Sequence, residues 1–327
     1  MGRNSVIGHS NPAESQRESL MDAPLLVTGC PRSGTTWVGK TLALHPDMGY
    51  LQEPFNNDHN QGRVPGKWPH RFFYIHSGNA GTFRPLVEQL FHFTYYPVPG
   101  LFARQSWRDR AMHLKEFCLW TRARWMAKRP LIKDPFAFFS TPWLVREMGV
   151  KPIILIRHPA AVISSIKRLN WNLRFDHFLE QPELMQDWLW DLAEEIQSVS
   201  TSQAGFLAKG IVFWKLFYQT VIKWETRYPD WIFLKHEDLS RHPVAEFAQL
   251  YQKLGLKFDP SIRRKIIQMT ESTSHTEIPS TAPAAYVTVN SRANLTNWKK
   301  RLHPEEIQTI YVALQPLWSR FYSENDW

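Results

Sequence analysis

Short, uniformly apolar runs alternate along the chain with longer stretches of helical periodicity. "PLLVTGC" (residues 24–30) is an apolar run closed by glycine, the pattern of a buried strand. "MGYLQE" (48–53), "PLIKDP" (130–135), "KPIILIRHP" (151–159) and "WIFLKHEDL" (231–239) repeat it. Between them, "TTWVGKTLALHP" (35–46), "HLKEFCLWTRARWMAK" (113–128), "FSTPWLVREMG" (139–149), "AAVISSIKRLNW" (160–171) and "HPVAEFAQLYQKLG" (242–255) read as helices. One or two further helices are expected within 172–228, a short one near Pro260, and a last one from about Pro304. Residues 54–107, rich in Gly, Pro, His and aromatics, and residues 272–297 read as irregular.

Strands apolar on both faces and separated by helices imply a parallel sheet covered on both sides. The expected fold class is therefore α/β, a three-layer, P-loop-NTPase-like arrangement. No repeat or low-complexity linker interrupts it. The expectation is a flexible N-terminal tail over residues 1–22 and a single domain over 23–327.

Composition narrows the function classes. With 43% hydrophobic and 21% charged residues among 327, a substantial core forms and global disorder is excluded. The formal net charge of +9 points to an anionic partner. The basic residues are scattered, with Lys299, Lys300 and Arg301 the densest cluster, so a nucleic-acid partner is not expected. Cys30 and Cys118 are the two cysteines, and no Cys/His group has zinc spacing. A reducing cytoplasm fits, and no run of about 18 apolar residues predicts a membrane span.

The chemistry concentrates in "TGCPRSGTTWVGK", Thr28 to Lys40. It nearly matches the nucleotide-hydrolase loop G-x-x-x-x-G-K-[ST], but Thr35 stands where that motif has lysine. A glycine turn between strand and helix aims backbone N–H groups at an anion. Arg32 brings a cation to the same loop. The strand "PIILIR" ends in Arg157, which repels a metal and binds phosphate bidentately. The loop is therefore expected to hold an anion without a metal. A nucleotide kinase or hydrolase and a basic nucleic-acid-binding protein are the alternatives.

These residues resemble the sulfotransferase family. "PRSGTTWVGKTL" is similar to that family's 5′-phosphosulfate loop. "RHPAAVISS" is similar to its 3′-phosphate motif, an Arg followed eight residues later by Ser, here Arg157 and Ser165. "LKHEDL" and "NSRANLTNWKKRL" resemble its later strand and its C-terminal nucleotide-closing loop. The resemblance spans about residues 24 to 302. It implies 3′-phosphoadenosine 5′-phosphosulfate (PAPS) as sulfuryl donor and no metal. By position, Arg32 would stabilise the leaving oxygen, and Ser33, Gly34, Thr35 and Thr36 would bind the 5′-phosphate. Trp37 would stack on adenine or serve as a core aromatic. Arg157 and Ser165 would hold the 3′-phosphate, with Arg292 as a second ligand. Trp298 and Lys299 would close the same site, or Trp298 would only anchor the loop. His236 replaces an adenine-contacting Tyr of many relatives.

Cytosolic relatives have a Lys-Thr-His stretch on the third strand, with His as base. Here that strand reads Lys133-Asp134-Pro135, so the base comes from elsewhere. Glu53, after the second strand, is the expected base, as in carbohydrate- and tyrosine-modifying relatives. Its plainer reading is a capping glutamate before proline, and Asp134 is the alternative base. Lys133 would touch the sulfuryl oxygens or pair with a carboxylate. A small-molecule or glycan acceptor is expected between lids at 54–112 and 170–208. Their aromatics, Phe55, Trp68, Phe72, Phe73, Tyr74, Trp107, Trp171 and Phe175, either stack on it or pack the loops.

Overall fold

The computed structural model describes residues 23–58, 62–97, 107–126, 128–201, 203–271 and 295–327. The expected tail and Arg292 lie outside them. Five strands form one sheet: β1 (Leu25–Gly29), β2 (Met48–Gln52), β3 (Arg129–Lys133), β4 (Lys151–Ile156) and β5 (Ile232–Lys235). Their order is β2-β3-β1-β4-β5, and every pairing is parallel.

Side chains alternate across the sheet. Leu25 and Val27 of β1 and Ile153 and Leu155 of β4 enter one apolar cluster. Leu26 of β1 and Ile154 and Ile156 of β4 enter the other. Both faces are thus buried, which is why the strands read as continuous apolar runs, and the three-layer α/β architecture follows.

The longer helices are α1 (Thr35–Leu42), α2 (Ala80–Phe91), α3 (Trp107–Trp125), α4 (Thr141–Met148), α5 (Pro159–Arg168), α6 (Ala193–Thr201) and α7 (Phe206–Arg227). Then follow α8 (His236–Arg241), α9 (Pro243–Lys253), α10 (Pro260–Glu271), α11 (Asn297–Arg301) and α12 (Pro304–Trp318). Three boundaries depart from the sequence reading. α2 lies inside the stretch read as irregular, because Gly81 and Pro85 within it mask the helical period. The fifth strand ends at Lys235 and "HEDL" turns into α8, whose first turn carries Glu237 and Asp238 against the positive helix end. Residues 176–192 form short helical turns, one of them π-type over Met185–Leu189.

Parallel register brings all five carboxyl ends to one edge. Gln52 lies opposite Lys133, Gly29 opposite Leu155 and Ile156 opposite Lys235. The segments that follow the strands, beginning at Cys30, Glu53, Asp134, Arg157 and His236, therefore gather where open α/β sheets bind ligands.

Candidate active site

The loop after β1 is bent by two left-handed residues. Arg32 has φ 73° and Gly34 has φ 98°. Gly34 caps α1 without a side chain, and its carbonyl accepts the N–H groups of Trp37 and Val38. Those of Thr35 and Thr36, in the first turn, have no intrahelical acceptor and face the helix's positive end. A Cβ on Gly34 would lie 2.4 Å from Nδ1 of His236. Glycine is required here by both backbone and neighbour. Among the described residues, the buried hydroxyls of Ser33 and Thr28 have no hydrogen-bond partner. Trp37 meets the His236 ring edge-on at 5.6 Å and Phe247 at 5.3 Å, and remains half-buried. Burial, reinforced by Arg157, holds the His236 imidazole well below its usual range, so it is neutral.

Arg157 follows β4 and is clamped on three sides. Its N–H donates to the Tyr218 hydroxyl at 2.7 Å, its carbonyl accepts from the Trp214 indole at 3.2 Å, and its guanidinium donates to the Arg32 carbonyl at 2.6 Å. Arg32 in turn donates from Nε to the Ser165 hydroxyl on α5 at 3.0 Å. The sequence reading assigned Arg32 to one phosphate and Ser165 to the other; the fold joins them. Burial and then the nearby charges of Arg157 and Arg168 lower Arg32 to about 10. Burial also lowers Arg157, opposed by Glu237. Cations crowded into a desolvated edge favour an anion between them. Arg168, Arg301 and Glu237 were missed in sequence. Arg168 stands three residues after Ser165 on the same helix, a spacing that was readable.

Glu53 is a non-glycine residue in the left-handed region, at φ 49°. Its N–H donates to the Lys133 carbonyl at 2.8 Å, which extends the β2–β3 ladder by one bond. One carboxylate oxygen pairs with the ammonium of the fully buried Lys133; the other accepts from the Asn56 amide at 2.8 Å. Asp134 is also fully buried. Its two oxygens accept the backbone N–H groups of Phe55 at 2.6 Å and Phe136 at 2.8 Å. Burial, then Glu53, pushes this carboxyl up to about 7, against those two bonds and Lys133. Asp134 thus fastens the segment after β2 to the segment after β3. Glu53, with 18% of its side chain exposed, is the carboxylate of the two that reaches solvent.

Trp298 stacks on His158 at 5.0 Å, within a cluster closed by Trp327, 4.3 Å from the same imidazole. Lys299 donates to the Trp327 carbonyl and lies over the Trp298 ring at 5.1 Å. His158 is buried without a partner for either ring nitrogen and lowered to about 3, chiefly by burial.

Most lid aromatics are packing. Phe55 and Trp68 are buried and stacked at 4.2 Å, and Phe72, Phe73, Tyr74 and Phe175 are buried in the same core. Trp107 is 74% exposed. Away from this edge, His70, His177 and Glu180 bring ligand atoms within 4.8 Å of one another, a grouping from distant segments that no linear spacing reveals. His70 and Glu180 already pair there at 3.3 Å. Among the described residues no helix is long and apolar enough to cross a membrane.

The chain is similar to several solved structures. The sulfotransferase domain from the curacin biosynthetic pathway is 16% identical over 90% of this chain and 97% of that one, with TM-score 0.45. A mouse sulfotransferase complexed with PAP is 14% identical over 92% and 85%, with TM-score 0.45. The sulfotransferase STF9 of Mycobacterium avium is 13% identical over 95% and 81%, with TM-score 0.43. No curated protein matches. The sulfotransferase family model matches residues 24–260, which run from β1, through the phosphate-type loop and Glu53, to the start of α10. The chain belongs to the sulfotransferase family.

Proposed function

We propose that the protein transfers a sulfuryl group from PAPS to a hydroxyl or amine of a small-molecule or glycan acceptor, with Glu53 as general base. The observation that carries this reading is the Arg157–Arg32–Ser165 chain of hydrogen bonds at the sheet edge. It gathers the buried Arg157 and the half-buried Arg32 beside a helix N-terminus that carries no side-chain cap. Such an arrangement suits a donor with phosphate groups at both the 5′ and 3′ positions.

The donor supplies an activated sulfuryl group on a phosphate leaving group. Ser33, Gly34, Thr35 and Thr36 cradle the 5′-phosphate with loop and helix N–H groups and hydroxyls. Arg32 faces the oxygen that takes the electron pair as the S–O bond breaks. Arg157 holds the 3′-phosphate, and Ser165 orients Arg32. Trp37 and His236 together form the wall beside the adenine.

Glu53 takes the acceptor proton as the new bond to sulfur forms. The ion pair with Lys133 orients Glu53 at the sheet edge. No step requires a metal. The two cysteines are free thiols, which suits a cytoplasmic enzyme.

An acceptor screen with radiolabelled PAPS tests the proposal. Label should move to a hydroxyl- or amine-bearing acceptor in the presence of chelator. Hydrolysis of ATP with no transfer to any acceptor would return the chain to the nucleotide-hydrolase reading.

A further inference from the structure

α3 is packed along one narrow stripe. His113 bonds to the Tyr95 hydroxyl at 2.7 Å, Glu116 accepts from Arg63 at 2.5 Å, and Trp120 meets the Tyr95 ring at 5.1 Å. The spacing of three and four residues places these on one side of the helix. The opposite side faces outward and mixes large apolar residues with basic ones. Among the described residues, eight large hydrophobics are exposed, and six of them lie between Trp107 and Met126. Single exposed apolar residues are ordinary, but a contiguous group marks an interaction surface.

Spacings of seven and eleven residues, about two and three helical turns, order this face. Trp107, Leu114 and Trp125 form one strip, and Met112, Leu119 and Met126 a second. Lys115 and Arg122 lie between the strips, and Arg110 borders the tryptophan strip on its other side. Every exposed charged side chain described on this helix is basic, Arg124 included; the acidic Glu116 is half-buried and held by Arg63.

We infer that α3 is an interfacial helix that seats the protein on an anionic lipid surface. Tryptophans lodge at headgroup level, while Lys and Arg stems extend along apolar surface and leave their charges among the phosphates. The negative surface potential of such a membrane complements the basic rows. A second copy of the chain fits less well. Across a two-fold axis the Lys115–Arg122 row would be buried against itself. The helix lies on the bilayer and does not enter it, since its basic rows keep it from being apolar enough to cross.

Co-sedimentation of the full chain with vesicles tests this. The protein should partition onto phosphatidylglycerol vesicles and only weakly onto phosphatidylcholine vesicles, and salt should release it. The pair Leu119→Glu and Trp125→Glu should lower partition at least tenfold. Lys115→Gln and Arg122→Gln should lower it about fivefold each. Trp190→Glu, at an exposed tryptophan elsewhere, should leave it unchanged. Nucleotide affinity equal to wild type would show that the variants are folded. Absence of wild-type partition onto phosphatidylglycerol, or equal partition by the Leu119/Trp125 pair, overturns the inference. So does a dimer, sized by light scattering, that the same substitutions dissolve.

Discussion

The Arg32 guanidinium donates to the Ser165 hydroxyl at 3.0 Å, across 133 residues of sequence. This bond ties the loop after β1 to the helix after β4, and Arg157 closes the link by donating to the Arg32 carbonyl. Ser165 is therefore a positioning residue for Arg32 as well as a candidate phosphate ligand. Ser165→Ala leaves a partly buried guanidinium N–H without its acceptor, a loss of about 1–2 kcal/mol. Calorimetry with adenosine 3′,5′-bisphosphate should show affinity about tenfold weaker. Unchanged affinity would reduce Ser165 to a packing residue.

Glu53 and Lys133 act as a pair. Glu53→Gln removes the proton acceptor, and turnover should fall by about 10²–10⁴-fold. Bisphosphate affinity should stay near wild type, because Glu53 follows β2, which β3 separates from β1 and its loop. Steady-state kinetics with saturating donor separates the two. Turnover within a few-fold of wild type would transfer the base role away from Glu53. The substitution also leaves the fully buried Lys133 facing a neutral amide, so a lower melting temperature accompanies the loss.

Gly34 and His236 fit together so tightly that a methyl group at position 34 has no room. Gly34→Ala carries two costs: the clash with the imidazole, and a φ of 98° that alanine disfavours. Unfolding free energy should drop by about 2–4 kcal/mol. In a His236→Ala background the clash term disappears, and Gly34→Ala should cost markedly less. Additive effects in this double-mutant cycle would mean that the two residues do not meet.

Asp134 gives the pH dependence a sign. Its folded pKa of about 7 lies above the unfolded value of about 3.9. Between these values the folded protein holds the extra proton. The contribution is fully present below about pH 4 and is lost as pH rises through about 7. Asp134→Asn removes this titration, so urea denaturation should show a flatter stability profile across that window than wild type. An equal slope in both proteins would contradict it. The substitution also turns one carboxylate oxygen into a donor opposite a backbone N–H, costing about 1–3 kcal/mol at any pH.

Much of the sheet was legible in the sequence because both its faces are buried. Every strand then reads as an apolar run, and Gly29, Lys133 and Arg157 fall at strand ends by simple counting. The candidate anion loop was readable for the same reason, since its glycines and threonines are adjacent in sequence. The Arg32–Ser165 bond and the Asp134 bonds to Phe55 and Phe136 were not, because partners between segments leave no local period. α2 was hidden by its own Gly81 and Pro85. The outward face of α3 escaped notice because apolar residues on both sides of a helix cancel the amphipathic pattern that sequence reading depends on. Aromatics read as lid residues, Phe55 and Trp68 among them, are buried against each other, and composition alone cannot separate a stacking platform from a core.

The central claim is that the edge built by Arg32 and Arg157 holds an adenosine nucleotide by both of its phosphates. Isothermal titration of adenosine 3′,5′-bisphosphate and 5′-AMP into wild type and Arg157→Ala tests it most directly. Wild type should bind the bisphosphate at least about tenfold more tightly than 5′-AMP, as a charge-assisted phosphate contact requires. Arg157→Ala should erase that difference while leaving 5′-AMP binding in place. Equal affinity of wild type for the two nucleotides, or a preference that survives in Arg157→Ala, would contradict the account.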